Sequence, residues 1–196
     1  MKTLIKKLIR KVLNRVRRYR TYKHPLNTFG TSETSKCRSR LAPYLQGYGL
    51  DLGFGGDPIS LSAIRMDFPV PYTNVGNLPV QLGGKAEDLY WFRDNVLDYV
   101  YSSHLLEDFF DTEEVLKEWI RVLKPGGRLL IFCPDEQRYR KHCAETGQPY
   151  NTAHVHEFFS LESVKKTIAG LGHTKVIYEK DNVDIYSWDL VCEKEL

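Results

Sequence analysis

The sequence lacks the cysteine patterns that tie a small fold together through disulfides or a metal. It has four cysteines in 196 residues, with no CxxC pair and no dense spacing. Five cysteine and histidine residues fall close together, but their spacing matches no zinc signature: Cys133, His142, Cys143, His154 and His156. We therefore expect reduced thiols, a cytoplasmic location and no metal site.

Long apolar runs and internal repeats are also missing. The first 24 residues, called the leader below, contain no unbroken apolar run longer than two residues. Such a segment can neither span a bilayer nor serve as the apolar region of a signal peptide. An apolar content of 42% and an aromatic content of 12% are globular values, so we expect one folded domain with appendages.

Acidic residues are absent from the leader, which holds ten Lys and Arg residues. The remainder carries 18 basic and 25 acidic residues, a net charge of about −7. Apolar residues recur in the leader at three-to-four spacing, which predicts a basic amphipathic helix: Leu4, Ile5, Leu8, Ile9, Val12, Leu13 and Val16.

Such a helix suits an anionic membrane surface, where each basic residue contributes roughly 1 kcal/mol. Packing on its own domain or on a partner, or a mitochondrial presequence, are the alternatives. Nucleic-acid binding is not expected, because the helix lacks an accompanying nucleic-acid-binding fold. The chain divides into the helix at 1–24, a linker or cover segment at 25–43, and a domain at 44–196.

Strands alternate with helices in the domain, which predicts a parallel sheet with helices on both faces. Asp111 and Glu114 form a capping-box pattern before one helix, and Ser160 and Gly172 bound another. Residues 138–141 fall in a predicted loop. The predicted strands are 48–52, 63–66, 80–82, 97–101 and 129–133, followed by 174–178 and 185–192 as a hairpin around 180–182.

The glycine-rich turn after the first strand is the expected ligand site, because open α/β sheets bind ligands at the carboxyl ends of their strands. Gly53 and Gly55 have no side chain to block a ligand, and Gly56 permits a positive φ. The dinucleotide pattern G-x-G-x-x-G fails. Asp51 is placed to accept a hydrogen bond from an ammonium group or to organise the turn, and Asp67 to accept hydrogen bonds from ribose hydroxyls.

Two motifs carry a family resemblance: Gly-Leu-Asp-Leu-Gly-Phe-Gly-Gly at 49–56 and Lys-Pro-Gly-Gly at 124–127. Residues 48–130 resemble class I S-adenosylmethionine (SAM)-dependent methyltransferases. The resemblance implies a Rossmann-like fold with a seven-stranded, mostly parallel sheet and a reversed last strand. It also implies SAM on the Gly53/Gly55 turn and ribose on Asp67. Adenine would lie near Ala86, Glu87 and Asp88, and residues 100–108, with Ser102 among them, would wall the methionine end.

More narrowly, residues 53–58 and Tyr-Ser-Ser-His-Leu-Leu-Glu at 101–107 are similar to small methyltransferases associated with cell-surface polysaccharide synthesis. That similarity implies a sugar or lipid-linked glycan as acceptor, at the inner face of the membrane. Only about eleven residues separate Gly55 from Asp67, against about 20 in ordinary nucleotide-binding units. We therefore expect a first crossover reduced to a helical turn starting at Pro58, with Asp57 as its cap.

A hydroxyl acceptor usually needs a base to take its proton, and an imidazole is suitable near neutral pH. The candidates are His104, His154 and His156, with Glu107 and Glu157 behind them. Each histidine has the alternative of a purely structural hydrogen bond. Two rival functions stay open, a catalytically silent SAM-fold partner or scaffold and a methyltransferase acting on a quinone or other lipid. Small-molecule N-methylation is open too.

Overall fold

The computed structural model describes residue 26, residues 32–70 and residues 78–196. The leader lies outside these residues, so its helix stays a prediction. The elements, numbered in chain order, are α1 (Glu33–Leu41), β1 (Gly49–Leu52), β2 (Ile64–Asp67), β3 (Leu82–Gly83), β4 (Leu97–Ser103), α2 (Thr112–Val122), β5 (Leu123–Pro134), α3 (Glu136–Thr146), α4 (Leu161–Leu171), β6 (Thr174–Val183) and β7 (Ser187–Lys194).

The seven strands form one sheet in the order β3-β2-β1-β4-β5-β7-β6. The pairs from β3 to β5 are all parallel, whereas β7 runs antiparallel to both of its neighbours, β5 and β6. The predicted seven-stranded, mostly parallel α/β sheet with a reversed last strand is therefore confirmed. Strand order reverses between β1 and β4, which marks the ligand-binding edge of such a sheet.

The central strands β1 and β4 are buried on both faces, as the apolar pattern of a parallel strand requires. Alternate residues of β4 enter different cores, with Val100 on one face and Tyr99 and Tyr101 on the other. Residues of α2 and α4, including Trp119, pack in the first core, whereas residues of α1, including Leu41, pack in the second. The helices therefore cover both faces and leave the carboxyl edge of β1 and β4 for a ligand.

Two helices begin where their capping residues predict, and one of them also ends there. Helix α2 follows Asp111, whose carboxylate accepts the Glu114 N–H over 3.0 Å. The Glu114 carboxylate contacts Lys117 instead of closing the predicted capping box. Helix α4 follows Ser160 and stops at Gly172. Side-chain oxygens at these starts satisfy backbone N–H groups that have no partner inside the helix.

A third helix replaces a predicted loop. Residues 138–141 lie inside α3, whose first turn is capped by the Asp135 carboxylate accepting the Arg138 N–H over 3.0 Å. Gly147, with φ +72°, ends the helix in the left-handed conformation. The loop prediction is wrong because polar residues dominate this segment, so its apolar periodicity is weak while its caps are strong.

Other boundaries also differ from the prediction. The β6–β7 turn lies at 184–186 rather than 180–182, because β6 continues to Val183. β5 starts at Leu123, and the Pro-Gly-Gly turn is an irregularity inside it, where the register passes from Leu97↔Leu123 to Tyr99↔Arg128. Within the predicted cover segment, residues 33–41 form α1.

The first crossover, described throughout from residue 53 to residue 63, contains no helix. The expected helical turn at Pro58 is therefore wrong. Asp57 is buried and engaged elsewhere, because its carboxylate accepts hydrogen bonds from the Ser32 hydroxyl and the Arg38 guanidinium. The short crossover thus holds the start of α1 against the sheet instead of forming a helix of its own.

Candidate active site

The backbone after β1 forms the glycine turn that the sequence predicts. Gly53, Gly55 and Gly56 adopt φ values of +64°, +56° and +89°, a region that glycine enters without steric cost. A Cβ added at Gly53 would lie 2.9 Å from the Leu105 side chain. The turn therefore needs glycine both for its conformation and for the close approach of the segment after β4.

Asp67, the last residue of β2, is fixed by two backbone donors. Its Oδ2 accepts the Gly55 N–H over 3.0 Å, and its Oδ1 accepts the Phe68 N–H over 2.8 Å. An ionised carboxylate has about four lone-pair positions, so each oxygen retains capacity for a ligand hydroxyl. The structure thus offers a preset acceptor beside the glycine turn.

Two clefts meet at this point. Both are lined by Gly53, Asp67, Phe68 and Leu105. Cleft A, about 360 Å³, continues past Glu33, Ser103, His104, Tyr139, His154 and Tyr186, among others. Cleft B, about 280 Å³, continues past Met66, Gly84, Ala86, Glu87, Asp108 and Phe109. A ligand with a ribose on Asp67 can therefore extend into both.

The predicted cofactor residues fall into two groups. Gly53, Gly55, Asp67, Ala86 and Glu87 line a cleft. Four others are not among the lining residues: Asp51, Gly56, Asp88 and Ser102. The five residues of the first group line the space in which a nucleoside beside the glycine turn would bind. Their individual roles in binding stay predictions.

Asp51 contacts the crossover just beyond the glycine turn, and the two roles expected of it stay predictions. Its Oδ2 accepts the Ile59 N–H over 2.6 Å, and the residue is fully buried. That burial raises the pKa of its carboxyl well above the ordinary value. Ser102 is likewise buried inside β4, and the next residue, Ser103, reaches cleft A instead.

His104 follows β4 directly and lines cleft A. Its backbone has φ +47°, an uncommon conformation for a residue with a side chain. Nε2 lies 3.2 Å from Glu33 Oε2, and Nδ1 lies 3.7 Å from Glu107 Oε1. Burial lowers the pKa of His104 to about 4, although the Glu33 carboxylate opposes the shift. The imidazole is therefore neutral at physiological pH.

His154 lines the same cleft from the segment between α3 and α4. Its Nδ1 lies 2.8 Å from Glu136 Oε2, and its Nε2 lies 3.7 Å from Glu107 Oε1. The ring packs against Tyr139, with ring centres 4.8 Å apart. Two buried carboxyl groups therefore flank one imidazole at the wall of cleft A.

His156 takes a different place from the other two candidates. Its Nε2 lies 2.8 Å from the Phe109 carbonyl oxygen and 3.1 Å from Thr112 Oγ1, and its ring stacks on Phe159. It is not among the residues lining cleft A or cleft B. These contacts tie the segment before α4 to the start of α2, and a catalytic role for His156 stays a prediction.

Sequence reasoning missed several residues of cleft A, two of which lie on helices that it did not predict. Glu33 comes from α1, Tyr139 from α3, and Tyr186 from the turn before β7. Signals for the two helices were present in the caps Ser32 and Asp135. No local signal identifies Tyr186, because its position depends on how β6 and β7 pair.

The charged lining is acidic. Cleft A contains Glu33 and Asp67, cleft B contains Asp67, Glu87 and Asp108, and no Lys or Arg lines either cleft in the described part of the chain. The basic residues of α3 are used elsewhere: Arg138 pairs with Asp181, Arg140 with Glu136, and Lys141 with Glu145. Neither cleft therefore offers a fixed cation to an anionic group.

Comparisons with known proteins agree with this geometry. A family model described as a methyltransferase domain matches residues 65–131, from β2 to the middle of β5. Phosphoethanolamine N-methyltransferase 2 of Caenorhabditis elegans is 31% identical over 78 residues. This match covers 40% of the chain and 17% of the worm enzyme's length.

Solved structures extend the similarity beyond the matched domain. A SAM-dependent methyltransferase from Methanosarcina mazei aligns with a TM-score of 0.56 and 19% identity, covering 80% of this chain and 97% of its own. A "possible histamine N-methyltransferase" from Thermotoga maritima aligns with a TM-score of 0.60 and 18% identity, covering 83% and 89%. At identities this low, the structural alignments establish the fold alone.

The strand order and the ligand edge define a class I methyltransferase fold. Residues 65–131 match a methyltransferase domain, in agreement with the sequence resemblance to SAM-dependent methyltransferases, and SAM is the expected cofactor. The glycine turn and the preset Asp67 carboxylate fit that cofactor. The narrower similarity to enzymes of cell-surface polysaccharide synthesis gains no support from these matches.

Proposed function

We propose that the chain transfers a methyl group from SAM to an acceptor hydroxyl, and that the acceptor is a sugar or lipid-linked glycan. The observation that carries the proposal is the position of Asp67, whose carboxylate is held by Gly55 and Phe68 where the two clefts meet. A nucleoside in cleft B with its ribose on Asp67 directs the rest of the cofactor into cleft A. His104 and His154 line that cleft.

When bound, SAM supplies an electrophilic methyl group on a sulfonium. The residues of cleft A then have to align the acceptor oxygen with it, and orientation alone is worth several kcal/mol, up to about 7–11 kcal/mol in well-oriented systems. His104, neutral because burial keeps its pKa at about 4, is available to accept the proton of the attacking hydroxyl. General base catalysis of this kind contributes about 10²–10⁴-fold.

The lining of cleft A favours a neutral, hydroxyl-rich acceptor. Asn151, Tyr139 and Tyr186 contribute polar groups to it, and amide and hydroxyl groups hydrogen-bond readily to sugar hydroxyls. Anionic groups are usually bound by Arg or Lys, and neither lines the cleft in the described chain. We therefore favour a neutral sugar over a phosphorylated acceptor.

An amine is the second candidate acceptor. The worm relative is named as an N-methyltransferase, and Glu33 at cleft A is suited to a cationic amine. The phosphate of that relative's named substrate class would find no basic partner in cleft A, so an uncharged or purely cationic amine fits better. A quinone or other lipid, or a catalytically silent protein, would appear as distinct outcomes of the experiment below.

We also propose that the leader recruits the protein to an anionic membrane surface, at the cytoplasmic face. Its ten basic residues and the absence of acid support this. Among the described helices, none is long and apolar enough to cross a membrane. Membrane association in this proposal therefore depends on the leader lying at the surface.

The test combines calorimetry with an acceptor panel. Full-length protein is titrated with SAM and with S-adenosylhomocysteine, and methyl transfer from labelled SAM is then measured to neutral glycosides, sugar phosphates, ethanolamine and a quinol. We expect binding of both nucleosides and transfer to neutral glycosides. Folded protein that binds neither nucleoside would overturn the proposal in favour of a silent partner. Methyl transfer confined to ethanolamine or the quinol would show that the acceptor is an amine or a quinol and not a sugar.

A further inference from the structure

Acid and imidazole side chains alternate beneath cleft A in a row that we call the acid–imidazole chain: Glu33, His104, Glu107, His154 and Glu136. Contacts at its two ends are 3.2 Å from Glu33 Oε2 to His104 Nε2 and 2.8 Å from Glu136 Oε2 to His154 Nδ1. In the middle, Glu107 Oε1 lies 3.7 Å from His104 Nδ1 and 3.7 Å from His154 Nε2. Each imidazole therefore has a carboxyl group beside each ring nitrogen.

Glu107 is an unusual centre for this row. Its side chain is 1% exposed, and Oε1 accepts no hydrogen bond in the described chain. A buried polar atom without a hydrogen-bond partner destabilises the fold, so stability alone does not explain its presence. The nearest nitrogen of each imidazole lies 3.7 Å from Glu107 Oε1, and a movement of about half an ångström would bring either to hydrogen-bond distance.

The groups that face Glu107 do not fix its charge. They are His104 at the end of β4, Asp108 next along the chain, Cys133 on β5, Glu136 on α3, and His154. The Cys133 thiol donates to Glu107 Oε2 over 3.3 Å, and no Lys or Arg is among these groups. Burial raises the pKa of Glu107 to about 8, so both protonation states are accessible near neutral pH.

We infer that Glu107 is a positioning residue that receives, through His104, the proton released by methyl transfer, and that the acid–imidazole chain carries this proton onward past His154. The inference rests on the proposed function. The acceptor oxygen–methyl bond forms while the methyl–sulfur bond breaks and its electron pair stays on sulfur. The hydroxyl proton passes to His104 Nε2, and the Nδ1 proton passes to the Glu107 carboxylate. His104 ends neutral and Glu107 ends as the acid.

The backbone of His104 adopts a costly conformation that holds its imidazole in the acid–imidazole chain. A non-glycine residue at φ +47° is held there only when its surroundings impose it. The His104 N–H donates to the Phe132 carbonyl over 2.8 Å, which anchors that backbone to β5. One imidazole is thereby held between the Glu33 side of cleft A and the buried carboxyl of Glu107.

The test follows the imidazole C–H resonances of the full-length protein by NMR as pH rises, without an acceptor. We expect the His104 and His154 resonances to shift together with a midpoint near pH 8, reporting ionisation of Glu107. Glu107→Gln, which keeps the shape, should abolish this transition. His173, which is exposed, is the internal control, and its resonances should be the same in both proteins at each pH. A transition that persists in Glu107→Gln would overturn the inference.

A second variant keeps the inference testable should Glu107→Gln fail to fold. Glu136→Gln removes a negative charge that raises the pKa of Glu107, so the shared midpoint should move below pH 8. An unmoved midpoint would contradict the assignment. The failure of this inference and the failure of the proposed function are distinguishable. A titration without the transition would contradict the acid–imidazole chain alone. Folded protein that binds no SAM would contradict the proposed function, whatever the titration shows.

Discussion

The Gly55 backbone N–H donates to Asp67 Oδ2 over 3.0 Å and so ties the turn after β1 to the last residue of β2. These two strands are parallel neighbours, with Leu52 opposite Met66. The turn therefore sets the carboxylate orientation before any ligand arrives, which lowers the ordering cost of binding. A crossover without a helix still builds a defined acceptor for a ribose.

Replacing this carboxylate should weaken cofactor binding. Asp67→Asn turns a charged acceptor of two hydrogen bonds into an amide, and bonds to charged groups are worth about 1.5–3 kcal/mol. We expect the dissociation constant for SAM to rise about 10–100-fold in calorimetry. Asp94→Asn, which removes an exposed carboxylate that pairs with Arg121, is the control. Unchanged SAM affinity in Asp67→Asn would show that Asp67 does not bind the ribose.

The open backbone gives a second prediction. Gly53→Ala places a Cβ 2.9 Å from Leu105 at φ +64°, and the left-handed conformation alone costs about 1–2 kcal/mol. We expect SAM affinity to fall at least about tenfold, with a lower Tm. Gly170→Ala in α4 meets nothing within 4 Å and should raise stability by up to about 1 kcal/mol. Equal SAM affinity in both variants would show that the turn does not contact the cofactor.

The sequence was most informative where one segment carries its own signal. The glycine turn, the Asp111 and Ser160 caps and the apolar strands β1, β2 and β4 are local patterns, and the structure has each of them. Helices α1 and α3 were missed because polar residues dominate both of them. The position of α1 depends on partners far along the chain, such as Arg40 with Asp189.

The site was less predictable than the fold for the same reason. His104 and His154 were identified as candidates by residue type and by place in the chain order. Their carboxyl neighbours come from three separate places: Glu33 on α1, Glu107 after β4 and Glu136 on α3. No pattern within one segment encodes that arrangement. Only the packing of these elements around the sheet edge brings the groups together.

Substitution of His104 and of His156 should affect different quantities, turnover in one case and stability in the other. His104→Ala removes the proposed proton acceptor, so we expect kcat to fall about 10²–10⁴-fold with little change in SAM affinity. His156→Ala removes contacts to Phe109 and Thr112 and should lower the Tm by several degrees while kcat is maintained. Both quantities are measured on the same preparations. Wild-type turnover in His104→Ala would move the base elsewhere, with His154 the next candidate.

The leader should act independently of the cofactor site. Deleting residues 1–24 removes ten basic residues, each worth about 1 kcal/mol at an anionic surface. We expect the deletion to abolish sedimentation with vesicles rich in phosphatidylserine and to leave SAM affinity unchanged. Vesicles of phosphatidylcholine alone are the control for the full-length chain. Sedimentation that survives the deletion would assign membrane binding to the folded domain.

Stability should depend on pH through Glu107. Burial raises its pKa to about 8 from an ordinary 4.5, so its contribution to stability is complete below pH 4.5 and is lost as pH rises through 8. His104 has the opposite sign, because its pKa is lowered to about 4 from 6.5; its contribution is present above pH 6.5 and is lost as pH falls through 4.

In thermal unfolding we therefore expect the Tm of Glu107→Gln, relative to wild type, to increase between pH 5 and pH 8. Above pH 8 this difference should level off, because Glu107 is then ionised in both the folded and the unfolded chain. Glu118→Gln is the matched control, since hydrogen bonding to Arg121 lowers the pKa of Glu118. That control should differ from wild type by a constant amount over the same range, because its own contribution changes only at lower pH. A constant difference for Glu107→Gln as well would mean that the folded chain holds Glu107 ionised throughout. That outcome is not expected, because no Lys or Arg is among the described groups that face its carboxyl.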